Sequence, residues 1–133
     1  MTSKLLTKSI NYPENTVKRA ARALSCSPFK LNLFTTMSDR SIALQDVTTT
    51  TGIAKNYTRK NITETQAESY LMWLIQVGVL RREVDGQGLT DSFRLTPLGR
   101  QISEKYQSQG DFPSPSWQDR IGNWLNRWLQ WSF

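Results

Sequence analysis

Between residues 55 and 61 the chain reads Lys-Asn-Tyr-Thr-Arg-Lys-Asn, three cations, one aromatic and two asparagines. The run is too polar for a core. Cations neutralise phosphates, and a helix N-terminus just beyond adds partial positive charge, so Lys55, Arg59 and Lys60 suit the backbone of a nucleic acid. Thr65, Gln66 and Ser69 follow on the predicted helix, where hydroxyls and a carboxamide can reach base edges and glutamine can read adenine with both amide groups. That helix also holds Glu64 and Glu68 and no Lys or Arg, which disfavours entry into a major groove. Met72 and Trp73 lie off its apolar stripe and suit packing against N-terminal helices, or a protein partner. Further cations, Arg81, Arg82 and Arg94, fall on a predicted hairpin. Alternation puts Arg81 and Arg82 on opposite faces. An arginine there can enter a minor groove or pair across the strands with Glu83 or Asp91. The run Thr48 to Thr51 is open to two readings, hydroxyl contacts to phosphate or a polar exposed turn.

Residues 63 to 99 must position these groups. Thr63 and Gln66 have capping-box spacing, and Ile62 can staple onto Ala67. Ala67, Leu71, Leu74 and Ile75 then repeat at helical period until Gly78, which takes a left-handed turn cheaply. Val79 to Val84 predicts a strand, Asp85-Gly86-Gln87-Gly88 a turn, and Ser92 to Leu95 a returning strand. Thr96 caps a helix with Pro97 at its first position, running to about Tyr106. Upstream, Ser41 to Ile53 predicts a helix, with threonine a poor helix former within it.

The run of a helix ending in Gln76-Val-Gly-Val-Leu-Arg-Arg-Glu83, a glycine-containing hairpin, and Phe93-Arg-Leu-Thr-Pro-Leu-Gly-Arg-Gln-Ile102 resembles the second half of a winged helix-turn-helix domain. The resemblance covers roughly residues 41 to 107. It implies that the helix before the hairpin is the recognition helix and that the hairpin is the wing. The 55–61 turn departs from the family, whose turn there is usually shorter.

Pro13 and Glu14 predict a helix to about Leu24, and Pro28 a second one carrying Phe29, Leu31, Leu33, Phe34 and Met37. Residues 108–115 read as a linker by composition. After it Trp117, Ile121, Trp124, Leu125, Trp128 and Leu129 form an apolar stripe on a C-terminal amphipathic helix, residues 116–133. Such a stripe is open to packing on its own domain, to pairing in a dimer, and to a membrane interface, with dimerisation favoured; the near-neutral opposite face argues against an anionic membrane.

The expected fold is mostly α with a small β-hairpin (α+β): a winged helix domain with a helical N-terminal extension over 1–107, a linker and the Trp-rich helix. The chain of 133 residues carries a net charge of +6, split as ten Lys/Arg against three acids (+7) over residues 1–60 and seven against eight (−1) beyond. Attraction to phosphate therefore belongs to the N-terminal half. One cysteine, Cys26, allows no intrachain disulfide and fits a reduced cytoplasmic setting. With no histidine, a zinc site of the usual ligands and His-based acid–base catalysis are disfavoured. No nucleophile–base pair, cofactor motif, signal peptide or transmembrane run is visible. The expectation is a non-enzymatic binder of double-stranded DNA without a cofactor, acting as a homodimeric transcription regulator. The alternative is an adaptor that binds protein through Met72, Trp73 and the tail.

Overall fold

A computed structural model describes residues 11–109, 112, 121 and 123–125. Helix α1 (Glu14–Cys26) starts behind Pro13, and the Val17 amide bonds the Pro13 carbonyl at 3.1 Å. Lys18 sits one turn after Glu14 at 2.9 Å; its hydrogen bond and charge hold the Glu14 carboxyl below the usual carboxylate range. Ala20, Ala23 and Leu24 form the buried face.

Pro28 does not open the second helix. Ser27 and Lys30 are extended around a bend at Pro28, Phe29 bridges Thr58, and helix α2 (Leu31–Met37) begins only after Lys30. The proline ring is compatible with either start, and pairing with the 57–59 segment selects the later one.

The single helix expected over Ser41 to Ile53 is three pieces: strand β1 (Ile42–Ala43), a 3-10 turn (Leu44–Val47) and helix α3 (Thr49–Ala54). Ile42 and Ala43 pair with Phe93 and Ser92, so their backbone groups go to the sheet rather than to a helix. Thr49 then takes φ of +52°, an angle that costs a β-branched residue about 1–3 kcal/mol, and its amide bonds the Ile62 carbonyl at 2.7 Å. Gly52 permits the close approach of α3 to this turn. A Cβ there would lie 2.8 Å from the Val47 carbonyl oxygen.

Helix α4 (Glu64–Gln76) starts with the full capping box: Gln66 N donates to Thr63 Oγ1 at 3.1 Å and Thr63 N donates to Gln66 Oε1 at 3.0 Å. It ends at Gly78, whose φ is +88°. Strands β2 (Leu80–Asp85) and β3 (Gly88–Leu95) follow, in register Leu80↔Leu95, Arg81↔Arg94 and Arg82↔Phe93, with an irregularity before Val84↔Leu89. Among the described residues the sheet is antiparallel and three-stranded, in the order β1-β3-β2. Thr96 caps helix α5 (Pro97–Gln107), accepting from Gly99 N at 3.1 Å.

Helices α2, α4 and α5 bury Phe34, Leu71, Leu74, Leu98 and Ile102 in one core with Phe93 and Leu80 of the sheet. Each such side chain contributes roughly 1.5–3 kcal/mol. Phe112, inside the predicted linker, is buried edge-on to Phe34 and Tyr106, 5.7 Å from each. The class is mixed α+β with a small antiparallel sheet. Among the described residues no helix is long and apolar enough to cross a membrane.

Candidate nucleic-acid interface

The 55–61 run is held against the α1–α2 connection as a short antiparallel strip. Lys30 N donates to the Tyr57 carbonyl at 2.8 Å and Arg59 N to the Pro28 carbonyl at 2.9 Å, flanking the Phe29–Thr58 bridge. Tyr57 and Thr58 are buried there, so the aromatic of the run serves the core and is not a stacking platform for a base. Asn56 takes φ of +64°, and its Oδ1 accepts from Lys30 Nζ at 2.7 Å. The strip thereby brings Lys30 beside Lys55, Arg59 and Lys60, a neighbour 25 residues upstream of the run that residue spacing does not reveal.

The cations differ in what they already hold. Lys55 Nζ pairs with Asp46 at 3.0 Å. Arg59 Nη1 donates to the carbonyls of Ser27 and Phe29 at 3.2 and 2.9 Å, tying the strip together. Lys60 is exposed and has no partner among the described residues. It stands three residues before Thr63, at the N-terminal end of α4, where unpaired amides and the helix dipole favour an anion. Glu64 in the first turn opposes that effect.

Thr65 and Gln66 are exposed and Ser69 is half-buried. Gln66 Oε1 is engaged by the capping box, so its amide nitrogen is the end left to face outward while the box stands. The outer stripe of α4 continues from Thr65 and Ser69 through Met72 to Gln76, opposite Ala67, Leu71 and Leu74. Arg82 reaches this stripe from the hairpin: its Nη2 lies 3.3 Å from Met72 Sδ, its guanidinium 5.4 Å from the Phe93 ring centre, and its Nη1 3.7 Å from Asp91. The hairpin thus lends a cation to a helix that has none. Arg94 lies on the other face of the sheet, 3.5 Å from Glu83. Both cross-strand carboxylate pairings open to the hairpin arginines therefore form. Arg81, opposite Arg94, is exposed and has no partner among the described residues. The alternation of β2 separates it from Arg82, and the unpaired state depends on strand register, which is not legible from composition.

Trp73 is 3 % exposed, and Nε1 donates to Asn123 Oδ1 at 3.0 Å. Trp73 shares the core with Ala20, Ala23 and Leu24 of α1, and its indole N–H finds its acceptor in the C-terminal segment, on a residue of the face that reads as polar. Residues 121 and 123–125 are helical, with Ile121, Trp124 and Leu125 exposed at 47 %, 61 % and 43 %. Trp117, Trp128 and Leu129 of the predicted stripe lie outside the described residues.

The chain is thus a small α+β domain in which a basic strip leads into the N-terminal end of a half-exposed helix. The family model described as Npun_F0494-like matches residues 10–127, and the chain belongs to that family. No curated protein and no solved structure matches the chain.

Proposed function

We propose that this chain binds double-stranded DNA as a cytoplasmic, dimeric transcription regulator built on a winged helix-turn-helix plan. The observation that carries the reading is the gathering of Lys30, Lys55, Arg59 and Lys60 along one strip that leads into a capped helix whose exposed first turns carry Thr65, Gln66 and Ser69. The order of elements supports it: a short strand, a short helix, a longer helix, then a hairpin that pairs back to that strand in the order β1-β3-β2. In this reading the strip anchors phosphates, Thr65, Gln66 and Ser69 face base edges, and Arg82 or Arg94 contacts a groove from the wing. The chain itself performs no covalent chemistry and needs no cofactor. The exposed Ile121, Trp124 and Leu125 pair with a second copy, giving two half-sites one operator.

A second reading, a protein-binding adaptor, draws on Glu64 and Glu68 on the reader helix and on the same exposed tail residues. Selection from a randomised duplex pool, with sedimentation of the free protein, separates the two. DNA binding by a dimer enriches a two-fold symmetric sequence and gives a mass of two chains. An unenriched pool with a monomer leaves the adaptor as the better account.

A further inference from the structure

A cleft of about 610 Å³ opens between the C-terminal end of α2, the 38–40 connection and one face of α5, a volume in the range of small-molecule sites. It lies apart from the basic strip. Asp39, Arg40, Arg100 and Glu104 all line it, two charges of each sign. No ion pair joins any of these four to another described residue, whereas Lys55 and Asp46 elsewhere have closed to 3.0 Å. Arg100 Nη2 donates to the Ser38 carbonyl at 3.1 Å, which fixes the guanidinium and leaves the rest of its planar fork for an acceptor. Ser103, on the same wall, is 3 % exposed, and its Oγ has no hydrogen-bond partner among the described residues. A buried hydroxyl without a partner is unfavourable, which makes its place on this wall informative.

These features select among ligand classes. A simple anion drawn to the guanidinium groups meets Asp39 and Glu104, and a simple amine drawn to the carboxylates meets Arg40 and Arg100. A molecule carrying both charges is opposed by neither pair. We propose that the cleft binds a small zwitterion of the α-amino acid class, its carboxylate on Arg40 and Arg100 with the Ser103 hydroxyl donating to it, and its ammonium on Asp39 and Glu104. The proposal is independent of DNA binding.

The test is thermal unfolding of the full chain with each common free α-amino acid, beside analogues lacking the amine or the carboxylate, followed by calorimetric titration of the best ligand. At least one amino acid raises Tm by a few degrees and neither analogue does. Arg40→Gln and Glu104→Gln each weaken that ligand about tenfold or more while the unliganded Tm stays unchanged. Ser103→Ala weakens it too, without lowering unliganded stability, because it removes an unpaired hydroxyl. No shift with any amino acid overturns the proposal. Equal binding of the carboxylate-only analogue, or affinity unaffected by both charge variants, overturns it as well.

Discussion

Arg59 and Lys60 are adjacent and carry the same charge, yet the structure gives them different work. Arg59 donates to two carbonyls of the α1–α2 connection, and Lys60 stands free among the described residues. Arg59→Ala is therefore expected to lower folding stability by about 1–2 kcal/mol, since charge-assisted hydrogen bonds are lost and two carbonyls lose a donor. Lys60→Ala is expected to leave stability within about 0.5 kcal/mol. Urea unfolding of the two variants checks this; equal stabilities would mean that Arg59 does not hold the strip. Gln66 carries a second conflict of roles, between its capping box and a base contact. Gln66→Glu keeps the box, because glutamate serves it as well as glutamine, but adds a negative charge to the face that the proposed function turns toward DNA. Unchanged stability with weaker duplex binding is the expected pair of results. Unchanged binding would remove Gln66 from the interface.

At the scale of elements, α3 depends on Gly52, where a Cβ would meet the Val47 carbonyl oxygen and Thr58 Oγ1, each at 2.8 Å. Gly52→Ala must push α3 off the 3-10 turn and loosen the basic strip behind it. A loss of roughly 1–3 kcal/mol is expected in denaturant unfolding. A variant as stable as the parent would show that α3 can shift at no cost. Local signals made α4, the hairpin and α5 legible in the sequence, since the Thr63–Gln66 box, Gly78 and the Thr96–Pro97 pair act within a few residues of themselves. Helix α1 was legible in the same way from Pro13 and Glu14, but the region between α1 and α4 was not, because long-range pairing decides it. Ile42 and Ala43 are strand only through Phe93 and Ser92, and α2 starts late only through Thr58. The strip's cations were readable as a basic run, but the arrival of Lys30 and the internal use of Arg59 follow from the same pairing. Trp73 shows a related limit: the acceptor for its buried indole N–H is Asn123, fifty residues away on a face that reads as polar.

For the whole molecule, the buried Phe112 and the Trp73–Asn123 hydrogen bond fasten the C-terminal segment to the domain, while Ile121, Trp124 and Leu125 face outward. A segment so placed can pair two copies while each basic strip stays at the far end of its own helix α4. That arrangement matters only if the strip holds phosphate. The most direct measurement is titration of the full chain onto a short duplex at about 50 and about 200 mM salt, with Lys30→Ala/Lys60→Ala alongside. Two or three phosphate contacts predict a roughly 10- to 40-fold fall in affinity across that range, and the double variant should flatten the slope by about two units for every sequence tested. No binding to any duplex at the lower salt, or a slope that the double variant leaves unchanged, would contradict the account.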